Sequence, residues 1–130
     1  MTFDAIGIAG TGMNLHRHWL DAISDNIANV NTVKPTSGPA FQAKYITAQE
    51  STDNTGVRVA GAVEGDAEGR MVYEPENPEA DDAGYVKYPD IDLGSQMSSL
   101  IMAQRGYQAN AAVIDRAKET FQAALQIGKQ

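Results

Sequence analysis

The residues best equipped for chemistry in this sequence are two histidines, a run of carboxylates and a glycine pair. None has the spacing its chemistry requires. His16 and His18 stand two residues apart, so on a helix they project to different faces and lack the spacing of a helical zinc pair. Glu76, Glu79, Asp81 and Asp82 share one segment and could attract Ca²⁺, yet no calcium-loop pattern surrounds them. Gly10-Thr11-Gly12 follows no clear strand, so it is not a phosphate-cradling loop. No serine lies in a nucleophile motif. With no cysteine in the chain, disulfides, thiol catalysis and thiolate metal sites are excluded. No catalytic residue, metal ligand or cofactor is assigned, and the chain does not read as an enzyme. The remaining polar groups of note are the amides of Asn26, Asn29 and Asn110. Such amides can fix the register of paired helices or simply cap and solvate them.

Those amides lie in two segments with apolar residues at alternating three- and four-residue spacings, the pattern of a coiled-coil seam. The first is Met13, His16, Leu20, Ile23, Ile27, Val30. It predicts a helix beginning between Ile8 and Gly12, ending near Asn31 and stopped by Lys34-Pro35. In the second, Leu100, Tyr107, Ile114 and Phe121 repeat every seven residues. Met97, Gln104, Ala111, Lys118 and Leu125 form a companion row, with Ala103, Asn110, Ala117 and Ala124 beside it. A helix from Ile91–Leu93 to about Gly128 is expected, capped by Asp90 or Asp92. At about 36 residues it would be roughly 54 Å long, too long for the core of so short a chain. Part of it must find a partner. Tyr107 and Phe121 read as packing aromatics. Arg105 beside the seam fits an inter-subunit ion pair or plain solvation equally well. Gly106 fits a close approach by a neighbouring backbone.

The residues between have a different composition. Phe41–Ile46, Val57–Ala60 and Arg70–Tyr73 are candidate strands, and 74–84 is a loop that Pro75 and Pro78 should keep extended. The expected class is mainly α, with long N- and C-terminal helices pairing as an antiparallel coiled coil around a small β-rich insert. The expected divisions are 1–35 and 91–130 as one discontinuous assembly domain and 36–90 as the insert. Of the 130 residues, 36–92 carry four basic and twelve acidic side chains, against a net charge of −7 for the whole. The acidic middle reads as a solvated surface. Phosphate-backbone binding needs clustered Lys and Arg, so nucleic acid is not an expected partner. No stretch approaches a membrane span, and Met1–Gly7 lacks the basic start of a cleavable signal peptide.

Leu20-Asp21-Ala22-Ile23-Ser24-Asp25-Asn26-Ile27-Ala28-Asn29-Val30-Asn31-Thr32 resembles the N-terminal signature of the bacterial flagellar axial proteins, which form the rod, hook and hook-associated parts. Ala103-Gln104-Arg105-Gly106-Tyr107-Gln108-Ala109-Asn110 resembles that family's other end. Gly38-Pro39-Ala40-Phe41, Met71–Asp81 and Gly84–Pro89 resemble its proximal-rod branch, while 47–69 match nothing. Three departures stand out: Ala40-Phe41 where Pro-Tyr is usual, Gln42-Ala43 where basic residues are frequent, and Gly106 where Ala is commoner.

The resemblance implies a structural subunit that polymerises through its terminal helices into the proximal rod. That drive shaft joins the membrane ring to the distal rod and passes on torque for motility. It implies neighbours of the same and other rod proteins, export through the flagellar secretion system without a cleaved signal, and a basal-body location on the periplasmic side. It also implies an assembly interface that includes Met13, Leu20, Ile23, Asn26, Ile27, Asn29 and Val30. On the second helix it includes Met97, Leu100, Gln104, Arg105, Tyr107, Asn110, Ala111, Ile114, Phe121 and Leu125. Two other readings are a different flagellar axial subunit, and a soluble adaptor or export chaperone binding a partner helix.

Overall fold

The computed structural model describes residues 2–128, with side chains from residue 4 onward. Met1, Lys129 and Gln130, which the expected segments include, lie outside the described residues. The elements in order are α1 (Thr2–Ala28), β1 (Lys44–Glu50), β2 (Val57–Glu64), β3 (Arg70–Tyr73), β4 (Tyr85–Tyr88) and α2 (Leu93–Ile127).

The second helix forms where the sequence places it. Asp92 is its N-cap, accepting the Gly94 N–H on its side chain at 3.0 Å, and Gly128 closes the far end by donating to Ala124 O. No proline interrupts it. The first helix starts earlier than its glycines suggest, at Thr2 rather than between Ile8 and Gly12. Each interior glycine costs about 1 kcal/mol relative to alanine. Packing outweighs that cost, because α1 packs against both α2 and the β1–β2 hairpin. It ends at Ala28, three residues short of Asn31. There Asn29 N–H reaches both Asp25 O (3.1 Å) and Asn26 O (3.3 Å), and Val30 N–H reaches Ile27 O. This tightening is typical of a helix end, and it puts Val30 in a turn rather than on the helical stripe.

The insert forms two two-stranded antiparallel sheets. β1 and β2 pair from Lys44↔Glu64 to Glu50↔Val57, with a bulge at Thr47/Ala48 that leaves Ala60 as the extra residue. β3 and β4 pair from Arg70↔Tyr88 to Tyr73↔Tyr85. The first strand begins three residues later than Phe41. Residues 41–43 instead lead into it outside the ladder, where Ala40 N–H donates to Ala67 O and Gly65 N–H to Ala43 O. β2 runs four residues past Ala60, and β4 has no counterpart among the expected strands.

The 74–84 loop is a chain of turns, not an extended segment. Asn77 N–H donates to Glu74 O, Ala80 N–H to Asn77 O and Gly84 N–H to Asp81 O. Local side-chain acceptors fold it despite its prolines. Gly69 enters β3 with φ +65°, where a Cβ would strike the Tyr88 carbonyl and the Ala40 side chain. Only glycine meets both requirements.

The buried apolar residues are few and mostly small: Ala9, Ala22, Ile23, Ala40, Ala43, Val86, Ile91 and Ala103. Many larger apolar side chains remain exposed, among them Met97, Ile101, Met102, Val113 and Leu125.

Candidate assembly interface

The two helices meet through a seam that three pairs of residues locate. Gly12 faces Asn110, His16 faces Gly106, and Asn26 bonds Gln96. The residue number rises on α1 as it falls on α2, and the two numbers in each pair add to 122. The α2 residues that lose solvent include a row at alternating spacings of four and three, Gln96, Leu100, Ala103, Tyr107, Asn110, Ile114 and Ala117, flanked by the half-buried Ser99, Gly106 and Ala111.

This corrects the companion row. Leu100, Tyr107 and Ile114 do lie on the seam, but their partners are Gln96, Ala103, Asn110 and Ala117. Met97, Gln104, Lys118 and Leu125 stand exposed, as does Phe121 at 38%. The two rows differ by one residue, a rotation of about 100° on a helix, and both carry small or apolar side chains. Ala111 remains half-buried and Arg105 is exposed. The notch at Gly106 is filled by the His16 ring of the same chain, not by a neighbouring backbone.

Asn26 is the polar centre of the arrangement, 1% exposed. Its Oδ1 accepts the Lys44 N–H (2.8 Å), and its Nδ2 donates to Lys44 O (3.0 Å) and Gln96 Oε1 (3.1 Å). One amide side chain thus pairs with the backbone of the first β1 residue as another strand would, while its remaining N–H reaches α2. A buried amide this well satisfied orders its surroundings. Beside it, Lys44 Nζ meets Asp25 Oδ2 at 2.8 Å. That hydrogen bond, reinforced by the carboxylate's charge, raises the Lys44 pKa.

Asn29 works locally. It donates to Asp25 O at 2.8 Å and accepts from the Thr32 hydroxyl, closing the helix end. Met13, Leu20, Ile27 and Val30 are half-buried and Ile23 is buried.

The hairpin packs on a neighbouring face of α1, with His16 and Asn26 touching both it and α2. Thr11 Oγ1 accepts the Val57 N–H at 3.1 Å, and Leu15, His16 and Trp19 form a shallow groove of about 200 Å³ with Ile46 and Ala48. These hairpin contacts had no signal in the sequence beyond the β pattern of 57–60.

The acidic segment is structural as well. Asp81 Oδ1 accepts the N–H groups of Ala83 and Tyr85, and Oδ2 accepts the Thr36 hydroxyl. These bonds, that from Tyr85 first among them, hold its pKa below the usual carboxylate value. Glu74 accepts from the Tyr88 hydroxyl at 2.9 Å, which raises that phenol's pKa. Among the described residues, no three His, Cys, Asp or Glu side chains are grouped to hold a metal ion. Nor is any helix long and apolar enough to cross a membrane.

Two family models fall on this framework. One described as "Flagella basal body rod protein" matches residues 6–36, and one described as "Flagellar basal body rod FlgEFG protein C-terminal" matches 82–127. They cover most of α1 and its exit, then β4 and α2. The flagellar basal-body rod protein FlgC of Yersinia enterocolitica is 34% identical over 126 residues, 94% of each chain. The chain belongs to the FlgC family of flagellar basal-body rod proteins. FlgC of Borreliella burgdorferi is also 34% identical, over 96% of each chain, and FlgC of Bacillus subtilis is 26% identical over 98%. Membership in the FlgC family makes the chain a structural subunit of the flagellar basal body, not an enzyme. Residues 37–81, with the hairpin and β3, lie outside both family matches.

Proposed function

We propose that this chain polymerises through its terminal helices, paired as an antiparallel coiled coil, into the proximal rod that carries motor torque outward. Residues 1–35 and 91–130 act as one discontinuous assembly domain, and 36–90 form the module between them. The observation that carries this reading is the outward face of α2. With its seam already packed on α1, the helix still exposes Leu93 (46%), Met97 (46%) and Ile101 (49%) one turn apart, and Met102 (56%) beside them. Contiguous apolar surface of this kind marks a protein contact, and on a long rigid helix it supplies the extended grip that a torsion-bearing shaft needs.

Met97, Gln104, Arg105 and Leu125 are on this view contacts between subunits. Leu100, Tyr107, Asn110 and Ile114, with Ile23 and Asn26, hold the two helices of one subunit together. Met13, Leu20, Ile27, Asn29, Val30, Ala111 and Phe121 border both kinds of contact. Neighbours are other copies of the chain, other rod proteins and the junction with the membrane ring. Delivery is by the flagellar export apparatus without a cleaved signal, to the periplasmic side.

Quantitative mass spectrometry of purified hook–basal bodies tests the assignment. Enrichment with the other rod proteins at a few copies per motor is expected, and absence from intact basal bodies would overturn it. Sedimentation at rising concentration tests the mode of assembly. Open-ended growth is expected, whereas a closed small oligomer would point to a helical adaptor.

A further inference from the structure

The contact between Gly12, His16, Gly106 and Asn110 has a reciprocity that the rest of the seam lacks. On each helix a glycine is followed four residues later by a polar knob. The knob's side chain bonds the carbonyl of its own glycine: His16 Nδ1–H to Gly12 O at 2.7 Å, and Asn110 Nδ2–H to Gly106 O at 2.8 Å. A carbonyl only accepts, so Nδ1 is the protonated nitrogen of the His16 ring. Each knob then occupies the glycine notch of the other helix. A Cβ at Gly12 would stand 2.7 Å from Asn110 Oδ1, and a Cβ at Gly106 would overlap the His16 ring. Because each knob is pinned by its hydrogen bond, it cannot swing aside without giving that bond up.

We infer that this double knob-and-notch, Gly12/His16 against Gly106/Asn110, sets the register of the α1–α2 pair. The seam itself does not discriminate well, since Leu100, Tyr107 and Ile114 recur every seven residues and a slip of one heptad presents similar apolar rows. The notches do discriminate. A slip in one direction carries His16 opposite Val113 and Asn110 opposite Trp19, two large residues where each knob needs a glycine. A slip in the other direction carries His16 opposite Ser99 and Asn110 opposite Ala5, and it sets Gly12 level with Ala103 and Gly106 level with Ala9, leaving small against small. Either slip also removes Gln96 from Asn26. Specificity of this kind comes from penalising the wrong alignments as well as from rewarding the right one. The device belongs to a single chain, so its test does not depend on which faces meet in the rod.

The Cys-free sequence allows register to be read in the full chain by engineered disulfides. Ala5→Cys with Ala117→Cys reports the native alignment, because those numbers also add to 122. Ala5→Cys with Ala124→Cys reports a slip of seven. In the parent the first pair should cross-link and the second should not. Gly106→Ala should reduce the native cross-link several-fold, and His16→Ala added to Gly106→Ala should restore it by emptying the notch. A native cross-link undiminished in Gly106→Ala would overturn the inference. So would a double variant no better than Gly106→Ala alone. Should Gly106→Ala lose both cross-links by unfolding, recovery in the double variant still decides the matter.

Discussion

Asn26 is a buried primary amide, and what makes it tolerable is that it completes the backbone of another element. Removing it in Asn26→Ala leaves the Lys44 N–H and C=O and the Gln96 carbonyl oxygen without their partner. Each orphaned group costs about 1–3 kcal/mol. Urea denaturation should therefore show a loss well above the few tenths of a kcal/mol typical of surface changes, and a loss within that range would remove Asn26 from the fold's supports. Asp81 gives a pH signature. Its folded pKa lies below the ordinary value. Its contribution is therefore complete above about pH 4 and is lost as pH falls through the folded value. Protection factors at Ala83 and Tyr85 should drop in that acid window, while Asp81→Asn should show no such step. Constant protection through the window in the parent would assign the turn to its backbone alone.

Elements bring the two kinds of contact apart. The seam face of α2 holds α1, and its outward face carries an exposed apolar patch at Leu93, Met97, Ile101 and Met102. Met97→Asp should change the monomer's unfolding free energy by no more than about 0.5 kcal/mol, as surface substitutions do, yet halt growth in sedimentation. A polymer formed normally by Met97→Asp would remove that face from assembly. Ile27→Asp and Ile114→Asp place a charge at half-buried positions on the two paired helices. Both should be expressed yet fail to support swimming in soft agar, and normal motility in the double variant would contradict the seam's role. The β3–β4 pair and the Lys34–Lys87 bridge fix where α1 exits and α2 enters, so the insert aligns the helices from one end while the glycine notches align them midway.

For the whole molecule, the proportions are those of a subunit rather than of a self-sufficient globule. The side chains almost wholly shut from solvent are led in size by Val86, Asn26 and Pro89, a thin core for a chain of this length. By the pairing count, α2 residues 121–127 reach past the level of Thr2, and all are exposed. Stability is expected to come in large part from neighbours. In a dilute monomer the outermost turns of both helices should exchange their amides rapidly and become protected on assembly. Slow exchange at both ends of the free chain would refute this.

Much of this was legible in the residues. An aspartate cap at Asp90 or Asp92, the proline-free run after it and the heptads at Leu100, Tyr107 and Ile114 determined to within a few residues where α2 begins and ends, and part of its buried row; the structure chose Asp92. The Asn-rich run and its counterpart at 103–110 pointed to the FlgC family's wider group, because those signals are local. The companion row was not legible. Ala103 and Gln104 are neighbours on a helix that is small or apolar on nearly every side, so composition alone does not say which of them turns inward. The early start of α1 was hidden as well, since the glycines at 7, 10 and 12 lower the local helix propensity, while the contacts that hold this stretch, Asn110 over Gly12 and Val57 N–H on Thr11, come from residues far along the chain. Nor did spacing show that Asn26 would take up the backbone of Lys44, or that His16 would fill the space above Gly106. Both depend on residues far apart in sequence meeting at one level of the helix pair. Local propensity fixes the elements, while the rotation and level at which they meet are set by volumes and hydrogen bonds that exist only once they are side by side.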